Sequence, residues 1–389
     1  MSGSFNPIDE GEWAEQAYIG PTEQLFNAIV LGDREEVRKL IARSKGEGEG
    51  AGEDGALDID RRDHVGRTPL QVAILAREAE IACDLVDAGA RMTARLVDGR
   101  TALHLAAQLD LPAVVRKLLE RSAVNAEEAA AAEKAEDKKK EDADGEDDKM
   151  DVDDENVDDE NGEDSADQDG EENDENGEEE EERDSSQDDW SSEDEDEKKK
   201  GDAKTQDISQ IPEDDKDEPD VFDVNVPDWD YAFTPLQYAV IFGSLGAIDE
   251  LIAGGADATL MTKKDGYSAT PFHPLTLTAL TRDAAVAGEV VRKLVAAGAT
   301  SSQAGDDLFT IFHTIVCVGR PELIEAFLRY DPSAKAVIDS PVVNSNLQMT
   351  FPLVSAIGHD NLAAIAVLTA YGAKLDYTEE DYSKASDLR

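Results

Sequence analysis

The chain has 389 residues and a formal net charge of −53, from 90 acidic and 37 basic residues. A field of that sign repels phosphates and argues against nucleic acid as a direct partner. No apolar run approaches the ~20 residues that span a bilayer. Met1–Trp13 is acidic and is neither a secretory signal nor a transit peptide. The expectation is an intracellular monomer, cytoplasmic or nuclear, that does not engage membranes.

In chain order, an extension over residues 1–21 precedes a helix pair marked by Leu25, Ala28 and Ile29, then Val37, Leu40 and Ile41, at helical spacing. Residues 45–55 are rich in Gly and Glu and are expected to form a loop. The next unit opens with Gly66-Arg67-Thr68-Pro69-Leu70-Gln71-Val72-Ala73. That phrase returns 33 residues later as Gly99-Arg100-Thr101-Ala102-Leu103-His104-Leu105-Ala106. Thr68 can cap a helix, and Pro69 in its first turn gives up only an N–H that has no intrahelical partner. Ile81, Leu85 and Val86 mark a second helix that closes at Gly89-Ala90, where glycine permits a left-handed exit. The following unit runs through Val114, Val115, Leu118 and Leu119, but Arg121-Ser122 stands where Gly-Ala is expected, and the regular pattern stops.

Residues 123–220 hold about 36 of the net negative charges, far too polar and self-repelling to build a core. The pattern resumes at Thr234-Pro235-Leu236-Gln237-Tyr238-Ala239 and closes at Gly255-Ala256. Pro69 to Ala90 and Pro235 to Ala256 are both 21 residues apart. A fourth unit runs from Thr270-Pro271 through His273-Pro274-Leu275 to Gly298-Ala299, with about four extra residues expected between its helices near Arg282–Gly288. A fifth is marked by Phe309–Ile315 and then Leu323, Ile324, Phe327 and Leu328. A sixth runs from Phe351-Pro352-Leu353 to Gly372-Ala373, and the loop at residues 331–347 between them has no clear period. Residues 379–389 read as an end or as the start of a further unit.

A low-thirties period made of a turn and two short helices resembles the ankyrin repeat family. The resemblance covers most of residues 22–378 apart from the acidic insert, and rests on the Thr-Pro-Leu-(His/Gln)-x-Ala openings together with the Gly-Ala exits. It implies an all-α ankyrin-repeat solenoid of helix-turn-helix units with hairpin turns, seven helix pairs in all, interrupted by a disordered acidic loop. Its divisions are repeats over 22–122, insert over 123–220 and repeats over 221–378. The resemblance also implies a protein partner taken on the turn tips and concave face. At the fourth place of the opening phrase, His104 and His313 are implied to tie neighbouring turns together.

The sequence holds no Gly-x-Ser-x-Gly, Walker-type loop, zincin helix or Cys-x-x-Cys pair, so no enzyme and no cofactor are expected. Cys83 and Cys317 lie in apolar helical patterns and read as small core residues. Glu172, Asp174, Asn176 and Gly177 approach a calcium loop, but Glu stands at its first position and Arg183 where the bidentate carboxylate belongs, so no metal site is expected.

Candidate partner-binding residues are four arginines and one tryptophan. Arg62 and Arg95 are 33 apart and should stack on successive turn tips, with Arg61 and Arg91 nearby; Arg67 and Arg100 repeat at the same interval. The tip arginines are expected to receive an acidic partner or the chain's own insert, in a contact weakened by salt. Trp190 is an isolated aromatic within the acidic tract and could anchor a partner. Ser185, Ser186, Ser191 and Ser192 each have an acidic residue three places on, the pattern of an acidophilic kinase site. Lys138–Lys140 and Lys198–Lys200 are weak import signals. Three readings of function follow: a non-catalytic scaffold or adaptor, an escort for a basic client such as a histone or ribosomal protein, or a regulatory segment of a larger protein.

Overall fold

The computed structural model describes residues 20–45, 57–144, 219–262, 272–302, 310–343 and 349–378, with backbone only for 135–144. The chain divides into one unit of residues 1–134 and 207–389, the solenoid, and a second of residues 135–206.

Among the described residues the solenoid is a run of seven helix pairs. They are α1 (Pro21–Leu31) with α2 (Arg34–Ser44), α3 (Pro69–Leu75) with α4 (Ala79–Ala88), and α5 (Ala102–Gln108) with α6 (Pro112–Asp144). After the insert come α7 (Pro235–Phe242) with α8 (Leu245–Ala253), and α9 (Pro274–Leu277), extended by a 3-10 turn, with α10 (Ala284–Ala296). The last are α11 (Ile311–Val318) with α12 (Pro321–Tyr330), a short α13 (Pro332–Ala336), and α14 (Pro352–Gly358) with α15 (Leu362–Ala370). The first helices stack in order α1, α3, α5, α7, α9, α11, α14, so α5 meets α7 directly although the insert separates them in sequence. One continuous apolar core runs between the two helix layers, with Leu25, Leu70, Leu103, Leu236, Leu275, Phe312 and Leu353 at most 2% exposed.

Local chemistry explains the units. Thr68 accepts from the Gln71 N–H while the Gln71 side chain accepts from the Thr68 N–H, and Thr234 with Gln237 repeats this reciprocal cap. Pro69, Pro235, Pro274 and Pro352 each begin their helix. Gly89 ends α4 at φ 94°, a conformation a residue with a Cβ resists.

Two expectations are corrected. Ser122, 33 residues after Gly89, carries a Cβ and does not break the helix, so α6 continues from Pro112 to Asp144 through an Ala-, Glu- and Lys-rich stretch of strong helix formers. Residues 123–144 are thus helical, and the far end of the expected insert, Pro219 and Asp220, is part of the solenoid. The extra residues of the fourth unit are not between its helices. Pro274 to the Asp283 cap and Pro69 to the Glu78 cap are both nine residues. The addition instead lengthens the second helix, from 10 residues in α4 to 13 in α10. Asp283 caps the N–H groups of Ala285 and Val286, so the helix starts in register with α4 and the added residues extend its far end. Within this helical fold two short strands, β1 (Val342–Val343) and β2 (Met349–Thr350), pair antiparallel in the irregular stretch before α14.

Both interruptions of the first half fall at the same point of the repeat, after the second helix. Residues 46–56 follow α2, and the acidic insert follows α6. The returning chain is fastened beside its point of departure. The Asn125 side-chain amide donates to the Asp220 carbonyl at 2.8 Å, and the Phe222 N–H donates to Ser122 Oγ at 2.7 Å. The Asp220 carboxylate accepts from the Met92 N–H at 2.9 Å and from the Thr93 N–H and hydroxyl at 2.8 Å each.

Candidate partner-binding face

The turn tips are built on a ladder of buried side chains. Gln71 Nε2 donates to the Ala94 carbonyl at 2.8 Å, and Gln237 Nε2 to the Leu260 carbonyl at 3.0 Å. At the same position His104 Nε2 meets the Phe233 carbonyl at 3.1 Å, and His313 Nε2 meets that of Ser340 at 3.0 Å. Each ties its own helix start to the turn of the next unit, as the repeat resemblance implied. In both histidines Nδ1 faces the capping Thr hydroxyl, of Thr101 and Thr310. Full burial pushes the His104, His273 and His313 imidazoles down to about 4, so all three are neutral near pH 7.

Arg62 and Arg95 are stacked, as their spacing required, and their guanidinium groups form a second ladder. Arg62 Nη1 donates to the Gly66 carbonyl at 3.0 Å and to the Arg95 carbonyl at 2.6 Å. Arg95 Nη1 donates to the Gly99 carbonyl at 2.7 Å and to that of Pro227 at 3.1 Å. The interval from Arg95 to Pro227 is one residue shorter than the 133 from Thr101 to Thr234, because the third turn holds one residue more. Its closing bond runs from the Asp228 N–H to the Phe233 carbonyl, where the earlier turns close Asp63 to Arg67 and Leu96 to Arg100. Arg67 pairs with Asp63, and Arg100 with Asp98, both at 2.7 Å. Burial alone would raise the two carboxyls, but N–H and guanidinium donors from Arg67 and Arg100 hold them below the usual range.

Of the other candidates, Arg61 is exposed and Arg91 half-buried. The Arg91 N–H donates to Asp60 at 2.7 Å. Arg91 and Arg95, with Thr93, Phe222 and Val226, line a cavity of ≈ 240 Å³ under the returning segment. Trp190, Ser185, Ser186, Ser191, Ser192 and Lys198–Lys200 lie outside the described residues, as do Glu172 to Arg183. Lys138–Lys140 fall on α6, where only the backbone is described. Cys83 and Cys317 are unpaired thiols, each pushed up by burial. Among the described residues no group of His, Cys, Asp or Glu is arranged to hold a metal, and no helix is long and apolar enough to cross a membrane.

The sequence reading missed the third turn itself. There Trp229 and Tyr231 are 65% and 62% exposed, and Val97 on the neighbouring tip is 85% exposed. The signal was available: Pro227-Asp228-Trp229-Asp230-Tyr231 sets two aromatics among acids just as Trp190 is set.

This is the architecture of an ankyrin-repeat solenoid. Residues 25–128 match the family model described as Ankyrin repeats (3 copies), so the first part of the array consists of ankyrin repeats. Ankyrin repeats are in general protein-interaction modules without catalysis. No curated protein matches the chain. Among solved structures, the ankyrin repeat domain of Bcl-3, a member of the IkappaB family, is similar at 16% identity and TM-score 0.48, over 89% of this chain and 97% of that one. The human ASB11 ankyrin repeat domain is similar at 14% identity and TM-score 0.47, over 90% and 99%. The ankyrin repeat protein EF0377 is similar at 13% and 0.44, over 80% and 98%.

Proposed function

We propose that the protein is a non-catalytic intracellular adaptor whose turn tips and concave face take a protein partner, and whose acidic insert favours a basic one. The observation that carries this reading is the direction of the tip arginines. Arg62 and Arg95 donate to carbonyls of the solenoid, and Arg67 and Arg100 are paired with Asp63 and Asp98. Exposed Asp223 and Asp230 therefore set the outward charge of the third tip, with the same sign as the insert. An acidic partner for the tips, or the insert itself as their cover, is the weaker reading on these grounds, because the donors of Arg62 and Arg95 face carbonyls and those of Arg67 and Arg100 face carboxylates. Polyanionic tracts draw basic chains from a distance and release them as salt rises.

The test is affinity purification of the full chain and of a full-length variant with Glu178–Glu182 and Glu193–Glu197 neutralised, each at low and high salt. Recovery of basic proteins that falls with salt and with neutralisation supports the proposal. The same partners recovered at both salt levels without those charges would leave a scaffold that works through the solenoid alone. A second measurement separates adaptor from escort: an escort keeps an otherwise precipitating basic client in solution, and an adaptor does not.

A further inference from the structure

Exposed aromatic rings are usually mobile, yet those of the third turn are held in place. The Asp228 carboxylate is 4% exposed and accepts from the Tyr231 N–H at 3.1 Å, the Phe233 N–H at 2.9 Å and the Tyr238 hydroxyl at 2.5 Å. The Trp229 N–H donates to the Asp98 carbonyl at 3.0 Å, so the tip is pinned to its neighbour. The Trp229 ring lies against Gly99 so closely that a Cβ there would stand 2.5 Å from its Cγ. Tyr231 stacks on Phe233 at 5.6 Å, Phe233 meets Tyr238 edge-on at 5.8 Å, and Tyr238 meets the buried His104 at 5.8 Å. A row of rings thus runs from the surface to the ladder in the core. Binding groups fixed in this way lose little freedom when a ligand arrives.

Charge selects the ligand. Asp230 stands between the two aromatics in sequence and is exposed, as is Asp223. An apolar ligand covering the rings would strip water from Asp230 without replacing it. A second copy of the chain would bring another −53 charges against the first. A lysine or arginine side chain satisfies both requirements, pairing with the carboxylate while its cationic head lies on a ring face. Within the chain the Arg95 guanidinium carbon sits 5.6 Å from the Trp229 ring centroid, so the exposed Tyr231 ring and the Asp230 carboxylate are the groups left to a ligand's cation.

We propose that the Trp229–Tyr231 turn tip is a docking site for a lysine- or arginine-bearing segment of a basic protein partner. This rests on the adaptor reading above and adds to it a short-range contact that outlasts salt screening.

The experiment uses the full chain and a labelled peptide of alternating Lys/Arg and Gly/Ser, with a neutral peptide carrying Gln at the cationic positions. Binding is measured at low salt and at about 0.5 M, where the screening length is about 4 Å. The variants are Trp229→Ala with Tyr231→Ala, Trp229→Leu, Asp230→Asn, and the insert-neutralised chain. The exposed rings can be truncated without unfolding, which circular dichroism verifies. At high salt the double variant is expected to bind about tenfold more weakly, Trp229→Leu to fall short of wild type, and the neutral peptide not to bind. Wild-type affinity in the double variant would overturn the proposal, as would full retention in Trp229→Leu or equal binding of the neutral peptide. If only the insert-neutralised chain loses affinity, the adaptor reading stands and this site fails. If only the tip variants lose it, the site stands and the insert's role fails. No binding to wild type overturns both.

Discussion

His104 is a place where a single exchange separates two roles, since Gln71 and Gln237 perform the same bridging task in the flanking units. His104→Gln should keep the bond to the Phe233 carbonyl and the cap at Thr101, staying within about 1 kcal/mol of wild type at pH 7.5. His104→Ala should cost about 3 kcal/mol, from a cavity and two buried groups left without partners. The pH dependence isolates the imidazole. It titrates near 4 in the folded chain and near 6.5 when unfolded. The unfolded chain takes up the proton first as pH falls, so stability is intact above about 6.5 and declines towards 4. The full difference is about 3 kcal/mol, of which about 2 kcal/mol is gone at pH 5. His273 and His313 add their own losses in the same window. Replacing one histidine should therefore recover about 2 kcal/mol of the fall between pH 7.5 and pH 5 and leave the rest. Native-state hydrogen exchange of the α5 and α7 amides is the suitable assay, because a repeat stack opens locally. A loss at pH 7.5 as large as that of the alanine variant, or an unaltered pH dependence in His104→Gln, would refute the reasoning.

Gly66 and Gly99 have the same left-handed backbone, at φ 86° and 83°, but only Gly99 has Trp229 against it. Gly66→Ala should cost about 1–2 kcal/mol of backbone strain. Gly99→Ala should cost more, and the excess should vanish in a Trp229→Ala background, read from urea unfolding as a double-mutant cycle. Asp220→Ala removes the acceptor of the Met92 and Thr93 N–H groups and should cost about 1–3 kcal/mol. Faster hydrogen exchange at those two amides is the expected sign, and unchanged protection would show that the returning segment is held by other contacts.

The regular part of the fold was legible because its signals are local. A Thr cap, a first-turn Pro and an exit Gly each act within a few residues, so Thr68, Pro69 and Gly89 state the helix limits almost directly. What escaped was decided by competition between neighbours or by contacts far apart in sequence. Arg121-Ser122 in place of Gly-Ala predicts that the regular pattern stops, but the loss of the exit glycine lets α6 run on. The spacing of Arg62 and Arg95 placed them one above the other, yet could not say whether the guanidinium groups face outward. That depends on carbonyls at Gly66, Gly99 and Pro227, the last 132 residues from its donor. The acids around Trp229 and Tyr231 mark that turn in the sequence, but the ring of Trp229 is fixed by Gly99, a contact that no local pattern encodes.

The position of the acidic insert follows from the same physics. Between Asn125 and Asp220, which are hydrogen-bonded, lie 95 steps of chain. The bonds made by the Asp220 carboxylate and by the Ser122 and Asn125 side chains hold its two ends together. The fastening lets α5 stack on α7 as if the units were adjacent. The same fastening begins the segment that leads, nine residues later, to Trp229. A substitution at Asp220 is therefore expected to reach binding as well as stability, by loosening the approach to the aromatic tip. In the peptide assay Asp220→Ala should weaken high-salt binding while leaving the low-salt, insert-driven component in place, a separation that general unfolding would not produce.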